Sequence, residues 1–90
     1  MIGYFAISLA GHDKGQMYLI VGEEKDILFL ADGNNRKMDH PKKKKKKHLQ
    51  IIKKNADAFL TEKLKKKQTV YNEEIKLAIK NRKKEEVTHV

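Results

Sequence analysis

Residues 16–35 read QMYLIVGEEKDILFLADGNN, a stretch with two apolar runs that turn residues separate and close. The runs at 16–21 and 27–31 are rich in the aliphatic and aromatic residues that strands favour. The Asp-Gly-Asn-Asn sequence at 32–35 is a strong hairpin signal, because each of these residue types tolerates a positive φ. The stretch therefore predicts an antiparallel pair of strands followed by a tight turn.

Three further strands are expected, one before this pair in the sequence and two after it. Residues 4–9 are a short run of strand formers that ends in a turn with two glycines, and residues 36–39 and 48–52 can form a fourth and a fifth strand. The apolar runs are nearly continuous, whereas a sheet with one wet face would alternate apolar and polar residues. We therefore expect burial on both faces, as in a small closed barrel whose outer side is partly covered.

A run of six consecutive lysines follows Pro41 and precedes His48. The run consists of Lys42, Lys43, Lys44, Lys45, Lys46 and Lys47. A segment with charge at every position has no face to turn toward a core, whether it is a strand or a helix. Because Pro41 also removes a donor from any strand ladder, we expect the run in a loop or at an exposed sheet edge.

The positive charge of the chain is concentrated around these lysines. The formal net charge is +9. Residues 36–54 contain ten basic residues and one acidic residue, whereas residues 1–35 contain two and five, and residues 55–90 contain nine and six. A local excess of this kind is typical of a binding face for a polyanion, and nucleic acid is the commonest polyanion in a cell.

The composition also narrows the class and the compartment. Ninety residues suffice for one small domain with a modest core. The absence of cysteine excludes disulfides and thiolate metal sites and favours a reducing compartment. No apolar run approaches the roughly 18 to 20 residues that cross a bilayer, and the start of the chain has no basic secretory leader. We expect a cytoplasmic protein.

The pattern becomes helical after residue 54. Asn55 is expected to cap a first helix, and the spacing of three and four residues predicts an inward stripe of Ala56, Phe59, Leu60 and Leu64. The expected division is a barrel with a lysine-rich loop at 1–54 and a helical extension at 55–90.

A second helix is expected after Asn72, which can cap it. Ile75, Ala78 and Ile79 would form its inward stripe, and residues 85–90 are expected to fray. Both stripes are narrow, so we expect both helices to lie on another surface, either the barrel or a second copy of the chain.

Several segments of the chain resemble one family. The sequence AGHDKG at 10–15, followed by QMYLIVG at 16–22, resembles the KOW motif of SH3-like barrels in ribosomal proteins and transcription elongation factors. The sequences ADGNNRK at 31–37, HPKKKKKKHLQ at 40–50 and TVYNEEIKLAIK at 69–80 look like parts of small bacterial KOW-domain RNA-binding proteins. Those proteins are similar to a group of archaeal and eukaryotic large-subunit ribosomal proteins. The resemblance covers nearly the whole chain.

This resemblance implies a five-stranded SH3-like barrel that binds RNA, with ribosomal RNA as the first candidate and the ribosome or its proteins as further partners. The predicted RNA-binding residues are the six lysines together with Gly11, His12, Lys14, Gly15, Arg36, Lys37 and His48. Lysine lacks the planar, bidentate and stacking contacts of arginine. We therefore expect attraction to the RNA backbone rather than reading of particular bases.

Each of these sites also has a plainer interpretation. The lysines can be a solvated loop that keeps the protein soluble, and Arg36 and Lys37 can be an exposed hairpin end. The glycines of residues 11–15 can serve only the turn, in which Asp13 would bond its own backbone. Five aromatic residues are candidates for base stacking, but we expect them in the core. They are Tyr4, Phe5, Tyr18, Phe29 and Phe59, and Tyr71 stays undecided between core and stacking.

No pattern in the sequence is typical of catalysis or of metal binding. Ser8 is the only serine, and no Ser-His-acid set or phosphate-cradling loop is present. The spacings of His12, His40, His48 and His89 match no common zinc pattern. We expect no enzyme activity, no metal and no cofactor. The alternative to RNA binding is a protein-protein interaction module with the lysines as a secondary nucleic-acid anchor, and double-stranded DNA is a third possible ligand.

Overall fold

The computed structural model of the chain describes residues 1–87. Its strands are β1 (Phe5–Ser8), β2 (Met17–Glu24), β3 (Ile27–Ala31), β4 (Lys42–Lys45) and β5 (Leu49–Ile52). A short 3-10 turn at Lys46–His48 joins β4 to β5, and the helices α1 (Ala58–Lys65) and α2 (Asn72–Val87) follow. The predicted fraying of residues 85–90 is not seen up to Val87, and residues 88–90, which include His89, lie outside the described part.

The five strands form one antiparallel sheet in the order β4-β3-β2-β1-β5. Of the predicted fold this confirms the coarser part, a mainly β chain of five strands followed by helices, and four of the five strands lie where the apolar runs predicted them. The edges of the sheet are β4 and β5. The turn between β2 and β3 is shorter than expected, because β2 continues to Glu24 and only Lys25 and Asp26 separate the two strands.

The predicted fourth strand at 36–39 is wrong. The carboxylate of Asp32 accepts hydrogen bonds from the backbone N–H groups of Asn34 and Arg36, at 2.9 and 2.8 Å, and closes a turn there. A second turn follows, in which His40 N–H donates to the backbone oxygen of Lys37. The fourth strand is formed instead by the lysines of β4, so the predicted lysine loop is wrong for Lys42–Lys45 and the alternative, an exposed sheet edge, is confirmed.

The sheet is buried on both faces, as its continuous apolar runs predicted. Met17, Leu19 and Val21 of β2 belong to a cluster that also contains residues of both helices. Tyr18 and Ile20, which alternate with them, belong to a second cluster with residues of β1, β3 and β5. Because neighbouring residues of a strand point to opposite faces, one strand supplies both clusters.

Helix α1 packs its Leu60 and Leu64 into the first cluster, but Phe59 is 83% exposed, contrary to the prediction. The helix also begins later than predicted. Asp57, and not Asn55, caps the helix, because its side chain accepts a hydrogen bond from the backbone N–H of Leu60 at 3.0 Å. Thr61 shares the buried face with the two leucines, and Phe59 lies on the opposite side of the helix.

Helix α2 buries Ile75 and Ile79 in the same cluster, and Ala78 packs against it, as predicted. Both helices therefore pack on the sheet of their own chain. The start of α2 is also tied to the loop after β3, since the side chain of Asn72 accepts a hydrogen bond from the backbone N–H of Met38 at 2.8 Å. Gly33 lies so close to this point that an added Cβ would be 2.3 Å from the backbone oxygen of Asn72.

Candidate nucleic-acid interface

The lysine run has two faces, because its first four residues form a strand. The register of β4 against β3 places Lys44 opposite Leu28 and Lys42 opposite Leu30, two buried residues of the second cluster. Lys43 and Lys45 lie opposite Phe29 and Ile27, on the other face. Side chains of directly opposed residues share a face of the sheet. Alternate lysines are accordingly half-buried and exposed along β4.

The two half-buried lysines of β4, Lys42 and Lys44, both bind the carboxylate of Asp13 in the turn after β1. Nζ of Lys44 lies 2.9 Å from Oδ1 of Asp13, and Nζ of Lys42 lies 2.8 Å from Oδ2. Lys44 also donates to Oγ of Ser8 at 2.6 Å and to the backbone oxygen of Ala10 at 2.7 Å. A long aliphatic stem lets each lysine pass along the apolar cluster while its ammonium group reaches a polar partner.

Two buried hydroxyl groups complete the network around Asp13. The phenol of Tyr18 donates to Oδ2 at 2.7 Å, and the hydroxyl of Ser8 lies 2.9 Å from Oδ1. Tyr18 and Ser8 are 3% and 1% exposed, and Tyr18 belongs to the second cluster, so this network lies at the edge of that cluster. The expectation that Asp13 serves only the backbone of its own turn is therefore wrong. Asp13 fastens the turn to the edge strand.

The protonation states in the network follow from its geometry. Burial alone would raise the pKa of the Asp13 carboxyl, but hydrogen bonds from Lys42, Lys44, Tyr18 and Ser8 hold this pKa far below its ordinary range. Burial, together with the hydrogen bond to Asp13 and its negative charge, raises the pKa of the Tyr18 phenol above its usual range. At neutral pH the network therefore contains an ionised Asp13 carboxylate and a neutral Tyr18 phenol.

The other four lysines differ in their partners. Lys46 pairs with Glu23 at 2.7 Å, and hydrogen bonds from Lys46 and from the N-terminal ammonium group lower the pKa of Glu23. The ammonium group of Lys43 lies 5.8 Å from the ring centroid of Phe29, within the range of a cation–π contact. Lys43, Lys45 and Lys47 are exposed, and none of them forms an ion pair with any residue that the structure describes.

The turn at 11–15 lies beside the lysine strand. Gly11, His12, Lys14 and Gly15 are all exposed. Gly11 and Gly15 have φ values of +86° and +90°, a region that glycine enters without strain. An added Cβ at Gly11 would come within 3.9 Å of Nζ of Lys44. The turn and the strand thus present their polar groups side by side.

The remaining predicted residues lie around this core of the site. Arg36 and Lys37 are exposed in the loop that leads to β4, and His48 is exposed at the end of the 3-10 turn. Among the aromatic residues, Phe5 and Tyr18 are in the core, as expected, and Tyr4 and Phe29 pack against it. Phe59 and Tyr71 are 83% and 64% exposed, so they are available for contact with a ligand.

The sequence did not predict that Asp13 binds Lys42 and Lys44, because the sequence signal for this contact is weak. A lone acidic residue in a glycine-flanked turn is common, and its partners Lys42 and Lys44 are 29 and 31 residues away. Only the pairing of β4 with β3 shows which lysines face it. Within the described residues, no three His, Cys, Asp or Glu side chains are grouped so that they could hold a metal ion.

No model of a protein family matches the sequence, and no curated protein is similar to it at a significant level. Among the described residues, no helix has both the length and the apolar character needed to cross a membrane.

Proposed function

We propose that this chain is a non-catalytic, cytoplasmic RNA-binding protein that holds the phosphate backbone of structured RNA. In this proposal the sheet is an SH3-like barrel of the KOW type, with the second apolar cluster as its interior. Ribosomal RNA is the first candidate ligand, on the basis of the resemblance described above. Double-sided burial of the sheet and the position of the glycine-flanked turn support this assignment.

The observation that carries the proposal is the division of the lysine run. Asp13 and Glu23 neutralise part of the charge on one set, Lys42, Lys44 and Lys46. The other set, Lys43, Lys45 and Lys47, is exposed and has no acidic partner among the described residues. A set of ammonium groups held on a sheet edge and left unpaired is a surface for successive phosphates.

The turn at 11–15 adds a further contact, on the side of β4 that carries Lys42 and Lys44. Lys14 and His12 are exposed beside the strand, and Asp13, the only acidic residue of the turn, already accepts hydrogen bonds from four side chains. Its charge is therefore directed at the lysines and away from the solvent side of the turn. Three lysines of the run together with Lys14 provide up to four phosphate contacts.

The number of contacts fixes the expected salt dependence. Three to four phosphates neutralised on this surface contribute about −2 to −4 to the slope of log K against log salt, at roughly 0.7 to 0.9 per phosphate. The measurement is fluorescence anisotropy of a labelled RNA hairpin between about 50 and 200 mM KCl. A slope near zero, or no binding of RNA at all, contradicts the proposal.

Co-sedimentation addresses the ligand in a cellular context. We expect the chain to sediment with ribosomal subunits at low salt and to be released by ribonuclease. Competition between the RNA hairpin and the DNA hairpin of the same sequence then decides between the two nucleic acids, and preferential displacement by RNA is the expected result.

A second candidate function is supported by a different observation. Phe59 and Leu77 are large apolar side chains on the two helices, and they are 83% and 57% exposed. Exposed residues of this size are more typical of a protein contact than of a phosphate contact. If the chain stays with ribosomal subunits after ribonuclease treatment, a protein-protein interaction module with the lysines as a secondary anchor replaces the proposal of RNA binding.

A further inference from the structure

Helix α2 has a basic side that forms one wall of an open groove. The groove has a volume of about 970 Å³ and lies between α2 and the loop that follows β3. Lys76, Lys80, Lys83 and Lys84 line it from the helix, and Asn34 and Asn35 line it from the loop. We call this surface the α2 groove. It shares no residue with the lysine strand or with the turn at 11–15.

The lysines of the α2 groove are arranged so that they repel one another. They stand at positions i, i+4, i+7 and i+8 of the helix, which is a single side of it. Like charges three or four residues apart destabilise a helix by about 0.2–0.5 kcal/mol per pair. None of the four forms an ion pair with the side chains of residues 1–85. A solvated helix would more often alternate its charges.

Glu73, Glu74 and Glu85 of α2 line other clefts, although Glu73 stands one turn before Lys76 on the same side of the helix. Glu74 and Glu85 line a different cleft, beside Leu77 and the start of α1. A favourable interaction with the helix dipole accounts for Lys84, which stands in the last turn, but not for Lys76 and Lys80. The basic side is therefore a feature of the groove and not a general consequence of helix electrostatics.

One carboxylate reaches the α2 groove, and it already accepts three hydrogen bonds from its own surroundings. Oδ1 of Asp32 accepts from the backbone N–H groups of Asn34 and Arg36, and Oδ2 accepts from the side chain of Gln16 at 3.2 Å. Four ammonium groups thus face one occupied carboxylate. The arrangement has the charge of a site for a polyanion.

The two walls of the groove are held at a fixed distance from each other. Gly33 has a φ of +80° and fits directly against the first residue of α2, where any side chain would meet the backbone oxygen of Asn72. Met38 N–H donates to the side chain of the same residue. The loop that carries Asn34 and Asn35 is therefore fastened to the helix at both of its ends, so the groove does not have to form when a ligand binds.

We propose that the α2 groove binds a second segment of RNA backbone, with its lysines on phosphates and the amides of Asn34 and Asn35 on ribose hydroxyls or base edges. The proposal rests on the RNA-binding function proposed above and adds to it the part of the surface that can discriminate. An amide can both donate to a 2′-hydroxyl and accept from it, whereas a lysine ammonium group can only donate. Exposed Arg36 and Lys37 continue the basic surface from the loop toward β4.

The charge part of the proposal is tested with the triple variant Lys76→Gln/Lys80→Gln/Lys83→Gln. Glutamine retains the stem of lysine up to Cδ, including the Cγ of Lys76 that packs near Gly33. Three lost phosphate contacts should reduce the magnitude of the salt slope for the labelled RNA hairpin by about 2 to 3. The matched control removes the same charge from the exposed end of α1, by Lys65→Gln/Lys66→Gln/Lys67→Gln, and should leave the slope at its wild-type value.

The amide part is tested with Asn34→Ala/Asn35→Ala. The hydrogen bonds that close this turn use backbone N–H groups of the loop and the Asp32 carboxylate, so the turn should persist. We expect a loss of affinity for the RNA hairpin, an unchanged salt slope, and little change for the DNA hairpin of the same sequence. Equal loss for both hairpins overturns the assignment of the amides.

The outcomes separate this proposal from the function on which it rests. If the wild-type protein binds RNA and the groove variant behaves like its α1 control, the α2 groove is not a binding surface and the function stands. If the wild-type protein does not bind RNA, the function itself fails. Circular dichroism melting of each variant identifies any loss of affinity that comes from unfolding.

Discussion

Replacing Asp13 with alanine removes the carboxylate on which the edge strand and the turn after β1 converge. Lys42 and Lys44 then lose their ion-pair partner, and the phenol of Tyr18 loses its acceptor. The side chains of Asp13 and Lys44 are 15% and 12% exposed, so water reaches these groups only in part. The ammonium group of Lys44 keeps only Ser8 and the backbone of Ala10 as partners.

The magnitude follows from this burial. Removing one partner of a buried ion pair costs about 3–5 kcal/mol, because the other charge stays buried without compensation. Lys42 is 27% exposed and can turn toward water, which places the expected loss near the lower end of the range, at about 3 kcal/mol. In a domain of this size that corresponds to a fall in Tm of roughly 12–24 °C.

The assay is urea and thermal unfolding followed by circular dichroism. Glu24→Ala, which removes an exposed carboxylate of β2, is the control and should change the free energy of unfolding by less than about 0.5 kcal/mol. In the double variant Asp13→Ala/Lys44→Met the stranded charge is gone, and part of the lost stability should return. A loss below about 1 kcal/mol for Asp13→Ala, or no recovery in the double variant, refutes the reasoning.

Two further predictions follow from the same contacts. The pKa of the Asp13 carboxyl is lowered in the folded state. Its contribution to stability is therefore present above the unfolded pKa of about 3.9 and is lost as the pH falls below that value. Acid unfolding should accordingly show a shallower pH dependence in Asp13→Ala than in the wild type. Gly33→Ala should lower the free energy of unfolding by clearly more than the roughly 1–2 kcal/mol that a left-handed residue costs, because its Cβ would meet the backbone oxygen of Asn72. Gly15→Ala, at φ +90° in open space, should cost only about 1–2 kcal/mol in the same denaturation experiment.

Much of the sheet can be predicted from local sequence, because β1, β2, β3 and β5 coincide with apolar runs that turn residues close. The fourth strand cannot be predicted in this way. Residues 36–39 do not form a strand, because hydrogen bonding to the Asp32 carboxylate holds this segment in a turn. The strand β4 contains no apolar residue that would indicate a strand there. Lys42–Lys45 form a strand because pairing with β3 places two lysines beside a distant carboxylate, a long-range effect without a local signal.

The candidate site was predictable in place but not in detail. The lysine run and the glycine-flanked turn do lie side by side, yet the premise that a run of lysines has no inward face was wrong, because Asp13 accepts the ammonium groups on one side. The helix α1 shows the same limit in a smaller way. Apolar spacing predicted an inward Phe59, but the buried face is formed by Leu60, Thr61 and Leu64, and Phe59 is exposed.

The division of the lysine run is the central claim, and it is tested most directly by replacing each set of three lysines separately. Lys43→Gln/Lys45→Gln/Lys47→Gln and Lys42→Gln/Lys44→Gln/Lys46→Gln remove the same charge from the same segment. Each protein is examined by thermal unfolding and, at a temperature where it is folded, by the salt dependence of binding to the labelled RNA hairpin.

The first variant should retain its stability within about 0.5 kcal/mol and lose about 2 to 3 from the magnitude of its salt slope. The second should lose about 2 to 3 kcal/mol of stability, because Asp13 and Glu23 lose their cations, and should keep a salt slope close to that of the wild type. Equal losses of salt slope in the two variants, or a fall in stability confined to the first, would contradict the account.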